Sequence, residues 1–248
     1  MADMDTQKEA RRPWGLAAFL LLAAVLFLAL GIWQVQRMHW KHDLIARVNA
    51  RVTAAPVTLP TPDALSRMHT DSYEYLRVEI AGQYRPAATA LVRAATALGT
   101  GYWTMTLLET GEGRKVWVNR GYLPSGTDLA TARASAPEGP VRVIGLVRLS
   151  EPDGSLLQAN RPADERWYSR DLAALSAARG TGPSEPVFID VQEEKAERPA
   201  TGKAPVPGLT VIQFPDNHLG YALTWFALCA LSLFGIFLAW RLTGRSLA

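Results

Sequence analysis

The sequence predicts a membrane protein in which two transmembrane α-helices flank, in chain order, a mainly antiparallel β domain of the α+β class. Three observations carry that expectation. Two long uncharged runs stand near the two ends of the 248 residues. Between them the apolar residues tend to alternate rather than recur every three or four positions, and turn-forming residues separate the alternating runs.

The first run, Pro13 to Trp33, has 21 residues without a charge, and as a helix it would be about 31 Å long, enough to cross a hydrocarbon core. It exceeds the 7 to 15 apolar residues typical of a signal peptide, so an uncleaved anchor is expected. The second, Leu219 to Trp240, has 22 residues. Trp14, Trp33 and Trp240 fall at the expected ends, where an indole keeps its ring among headgroups.

This gives a cytoplasmic segment over 1–12, a transmembrane helix over 13–33, an extracytoplasmic β-rich domain over 34–218, a second transmembrane helix over 219–240, and a cytoplasmic tail over 241–248. Lys8, Arg11 and Arg12 before the first helix and Arg241 and Arg245 after the second favour cytoplasmic termini. Arg37, Lys41, Arg47 and Arg51 weaken the charge contrast, but a long middle domain translocates largely regardless of charge. The expected location is a bacterial inner membrane with the large domain in the periplasm.

In the middle, Leu76, Val78 and Ile80 alternate in YLRVEIAGQY, as do Trp103, Met105 and Leu107 in GYWTMTLLE. KVWVNRGYL, PVRVIGLVRL, PVFIDV and LTVIQF complete six or seven strands, with GEGR at Gly111 to Arg114 as a hairpin turn. A helix is expected over Ser169 to Ala178, stopped by Gly180. Gln192 to Gly208, mixing charge with proline, reads as a flexible connection, and Glu193 and Glu194 within it as solvated charges.

Several functions are disfavoured. The formal net charge of +3 comes without a basic run interleaved with aromatics, so nucleic acid is not an expected partner. Cys229 is the only cysteine and sits inside the second apolar run, which argues against thiol redox chemistry, CxxC metal binding and CxxCH haem attachment. There is no HExxH or ordered Ser/His/Asp set, so an enzyme is not expected. His39 and His42 share a helical side, but no third ligand is indicated.

His218 stands at the start of the second apolar run. A helix from there carries Ala222, Trp225 and Cys229 on the same face, with Ser232 nearby, and puts Trp225 two turns, about 10.5 Å, below the histidine. That face is small apart from one indole. Two readings stay open on the residues alone: a shallow groove for a porphyrin whose iron takes the imidazole, or a small-residue seam for helix packing with His218 at the membrane surface.

Four segments, GIWQVQRMHWK (Gly31 to Lys41), VWVNRGYLP (Val116 to Pro124), RWYSRD (Arg166 to Asp171) and NHLGYALTWF (Asn217 to Phe226), together resemble the surfeit-locus family, two-helix assembly factors of haem-copper cytochrome c oxidase. The resemblance implies transient binding of haem a and its delivery to the catalytic subunit of the oxidase, with haem a synthase as a further partner alongside membrane lipids. It implies His218 as the haem-iron ligand, with Trp225 beside it. Trp33, Gln34, Arg37, Trp40 and Lys41 match the motif after the first helix, where Arg37 is a candidate for a haem propionate or a lipid phosphate. Asn119, Arg120, Gly121, Arg170 and Asp171 match the other two motifs and are expected to be structural first. The alternative to haem delivery is a cofactor-free membrane scaffold that stabilises an oxidase assembly intermediate.

Overall fold

A computed structural model describes residues 14–155, 158–200, 202–209 and 216–245. They form two compact units, one of residues 14–47 with 216–245 and the other within residues 48–209. Lys8, Arg11, Arg12 and the expected segment 1–12 lie outside the described residues, as does most of the expected LTVIQF strand.

The first unit is built on the two long helices, α1 (Trp14–Thr53) and α6 (His218–Arg245). Both contain windows long and apolar enough to cross a membrane. The transmembrane segment expected to stop at Trp33 belongs to a helix of 40 residues. Charge ends the apolar run there but not the helix. Residues 34–53 contain neither proline nor glycine, and Gln, Arg, Lys, Leu and Ala keep helical propensity high in water.

The second unit is a closed sheet. Its strands are β1 (Val57–Thr58), β2 (Arg77–Thr96), β3 (Gly99–Thr110), β4 (Lys115–Pro124), β5 (Glu138–Leu149) and β6 (Val187–Arg198). The order is β1-β2-β3-β4-β6-β5, and β2 also pairs with β5, which closes five strands into a barrel. The four antiparallel neighbours β5, β2, β3 and β4 make a Greek key. β6 then fills the gap, parallel to β4 over Trp117–Asn119 and antiparallel to β5. Five-stranded Greek-key barrels include the OB-folds, but the architecture alone assigns no function. β2 serves both β5 and β3 because it is 20 residues long and has a register shift between Arg85 and Thr89.

The barrel interior is an aliphatic core in which Val78, Ile80, Val116, Val118, Val143, Val147 and Ile189 meet. A second core lies on the outer face, where Trp117, Phe188, Met105 and Trp167 pack under α5 (Leu172–Arg179). Alternation therefore sends Val116 and Val118 inward and Trp117 outward, and both faces are dry. That is why β4 is buried from Val116 through Leu123 rather than at every second residue. Trp117 Nε1–H donates to Ser176 Oγ at 2.9 Å, which satisfies the one polar atom of a fully buried indole.

The expected helix near Ser169 is α5. Asp171 caps its start, its Oδ1 accepting from Ala174 N–H at 3.0 Å, and Gly180 ends it. The GEGR turn joins β3 to β4 as expected, with Gly113 N–H donating to Thr110 C=O. The connection expected over Gln192–Gly208 is corrected in its first part, since β6 runs to Arg198. Exposed Glu193, Lys195 and Glu197 alternate with half-buried Gln192, Glu194 and Ala196, and Glu193 to Ala196 and Arg198 pair with β5, so pairing rather than hydrophobicity extends the strand.

Candidate functional site

The helix unit is an antiparallel pair stitched at intervals along its length. Trp14 meets Trp240 edge-on with ring centroids 5.0 Å apart, and Phe27 stacks on Trp225 at 5.7 Å and 24°. Beyond Phe27, toward Gln34, Gly31 lies so close to the Phe226 ring that an added Cβ would come within 2.5 Å of it. Ala24 and Gly31 on α1, and Ala222 and Ser232 on α6, are buried. Small residues let the two backbones approach, and Ser232 turns its hydroxyl back to Leu228 C=O at 2.9 Å, so that hydroxyl is not stranded in the seam.

That seam decides between the two readings of the small face in one respect. Ala222, exposed by only 2%, and Ser232, by 7%, do not line an open channel. The groove expected beside Trp225 is filled by α1, and Trp225 itself is half-buried against Phe27.

His218 stands above the seam, at the first residue of α6, and is half-buried. Its Nδ1 is 2.7 Å from Gln34 Oε1 on α1. A carbonyl oxygen can only accept, so the contact takes an Nδ1–H, and in the neutral ring Nε2 then keeps its lone pair. A neutral imidazole with a free Nε2 is the donor that a haem iron takes, and on that chemistry the site fits the group. Among the described residues no cluster of three or more His, Cys, Asp or Glu is arranged to hold a bare metal ion.

The mouth of the pair is closed by a second contact. Asp216 accepts from His218 N–H at 3.2 Å through Oδ1, and His42 Nε2 lies 2.6 Å from its Oδ2. Burial would raise the Asp216 carboxyl, but these hydrogen bonds outweigh it and hold the group below the ordinary carboxylate range. His42 is thus engaged by the carboxylate, and the idea of a His39–His42 clamp gains no further ligand. One helical turn beyond Gln34, Arg37 lays its guanidinium 3.9 Å over the Trp40 ring and stays exposed. Sequence reasoning passed over Phe27, which meets Trp225 from the other long helix, a distance in sequence that no local pattern reveals.

The motif residues of the barrel take structural roles. Arg120 is buried and pairs with Glu194 and the Ser135 hydroxyl and carbonyl. Burial would lower its pKa, but Glu194 and Tyr84 together outweigh that and raise it. Tyr84, driven well above its usual pKa by burial and then by Glu194, donates its phenol to the same carboxylate at 2.6 Å. Glu194 is therefore a partner inside a network, a correction to its reading as a solvated charge. Arg170 binds Glu151 and reaches Asp190, whose Oδ1 also accepts from Asn119 Nδ2 at 2.8 Å. Gly121 has φ +124°, and a Cβ there would stand 2.2 Å from Val206 C=O, so only glycine fits.

Comparison with known proteins bears on the whole chain. The model of the SURF1 family matches residues 21–230, which takes in most of α1, the barrel and the first part of α6. The chain belongs to the SURF1 family. Among relatives, Surfeit locus protein 1 of Homo sapiens is 34% identical over 230 residues, covering 85% of this chain and 73% of that protein. Its counterpart in Rattus norvegicus is 30% identical over 86% of this chain and 71% of its own. That of Takifugu rubripes is 30% identical, covering 86% of this chain and 91% of the relative. The SURF1 match includes Gln34, Arg37, His218 and Trp225, so the helix-pair site lies within the region that defines the family.

Proposed function

We propose that this SURF1-family protein assists assembly of haem-copper cytochrome c oxidase by holding haem a at the head of its helix pair and passing it to the catalytic subunit. The observation that carries the reading is the Gln34–His218 contact, which in the neutral ring turns the proton to Nδ1 and leaves His218 Nε2 for iron. Haem a is cargo here, supplying the oxidase with its redox-active iron.

In this reading His218 gives the axial nitrogen, and Trp225 with Phe27 forms the aromatic floor two turns further into α6. Arg37, exposed on the turn after Gln34, is the cation for a propionate. A single histidine suits a carrier, since the site must hold the cargo and then release it. The protein acts without covalent catalysis, spans a bacterial inner membrane with both termini cytoplasmic, and presents its barrel to the periplasm. Haem a synthase is the natural donor and the oxidase catalytic subunit the acceptor.

The test is complementation. In cells lacking this gene, wild-type protein should restore haem a in the oxidase catalytic subunit, while His218→Ala at equal abundance should not. Full restoration by His218→Ala would end the carrier reading. A second reading, a cofactor-free scaffold that stabilises an assembly intermediate by mass action, is favoured by the closed seam at Ala222 and Ser232. It expects that restoration.

A further inference from the structure

Resting on the haem reading, we infer that Gln34 is the positioning residue of the site. By accepting the Nδ1 proton of His218 it selects the imidazole tautomer and fixes the ring plane, so the iron ligand is built by both long helices rather than by α6 alone. A neutral imidazole free in solution carries its proton mainly on Nε2, the nitrogen that must be bare to bind metal. The 2.7 Å contact to Gln34 Oε1 reverses that preference.

The residues beside His218 do not make this hydrogen bond. Asp216, the carboxylate nearest to it in sequence, is engaged instead by His218 N–H and His42. The acceptor comes from α1, 184 residues earlier. Gln34 is held at the right height because Gly31, one turn before it, lets α1 close on Phe226. An outer partner of this kind makes the ligating nitrogen more basic and removes the entropy of ring rotation. Loss of such partners weakens metal affinity about ten- to a hundred-fold.

The first arm of the test needs no haem. The full chain, labelled with ¹⁵N-histidine and held in detergent micelles, is compared by NMR with Gln34→Leu, and His218→Ala identifies the resonances of His218. Wild type should show Nδ1 protonated and Nε2 bare, and Gln34→Leu should move His218 toward the Nε2–H form. Unchanged resonances overturn the inference. The second arm titrates haem a into wild type, Gln34→Leu and Gln34→Glu, with far-UV circular dichroism confirming equal helix content. Affinity should fall about ten- to a hundred-fold in Gln34→Leu and recover in Gln34→Glu, which keeps the acceptor. An affinity unchanged in Gln34→Leu despite a shifted tautomer overturns the positioning role. If His218→Ala binds haem a like wild type, the ligand assignment fails instead, and the haem-free spectra still decide whether Gln34 sets the ring.

Discussion

Arg120 of β4 and Glu194 of β6 meet in a two-pronged pair, Nε to Oε2 at 3.1 Å and Nη2 to Oε1 at 3.0 Å. The arginine side chain is only 1% exposed. A guanidinium so dry depends on its partner, because the charge cannot be shed and water cannot replace the carboxylate.

Glu194→Ala should therefore destabilise the barrel by about 3–5 kcal/mol, the cost of leaving a buried charge unpaired. Glu193→Ala, removing a half-exposed partner of Arg77, should cost less than about 1 kcal/mol. Denaturant unfolding of the full chain in detergent, followed by tryptophan fluorescence, checks both.

Much of the architecture could be read from the sequence because it is written in contiguous residues. The uncharged runs and the GEGR turn are local patterns that appear in the structure, and the helix expected over Ser169 to Ala178 forms over Leu172–Arg179. What was not legible is non-local. Closure of the barrel requires β2 to pair with β5, and β6 to slot beside β4, contacts some 60 to 70 residues apart in sequence. Glu194 looked solvated because its cation, Arg120, is 74 residues away. Likewise His218 announced itself at the head of an apolar run, whereas Gln34 gave no sign of being its partner.

Gly121→Ala should cost at least about 3 kcal/mol. An alanine pays for a positive φ, and its methyl would also overlap Val206 C=O, which cannot move without breaking its hydrogen bond from Tyr122 N–H. The thermal midpoint of the full chain reports the loss, and a midpoint within two degrees of wild type would contradict it.

Gly31→Val should force the helix pair apart, because its Cβ would sit 2.5 Å from the Phe226 ring. The double variant Gly31→Val with Phe226→Ala should recover much of the loss, as expected of two residues in contact. Distances between spin labels on α1 and α6 follow the separation directly.

Acid should weaken the barrel. The Arg179 hydrogen bonds, against a smaller opposing effect of burial, hold the Glu165 carboxyl below its usual value. A carboxylate depressed by folding contributes stability above its unfolded pKa, about 4.3, and that contribution disappears as pH falls through the folded value. Arg179→Leu should flatten this part of the stability profile below about pH 5, while leaving the profile near neutrality parallel to wild type.

The most direct measurement is haem a bound per mole of protein, after purification in detergent from cells that make haem a, for wild type beside His218→Ala. Wild type should carry haem a with a Soret band, and the variant, folded to the same helix content, should carry none. Equal haem in both proteins would contradict the account, since the ring held by Gln34 would then have no part in gripping the iron.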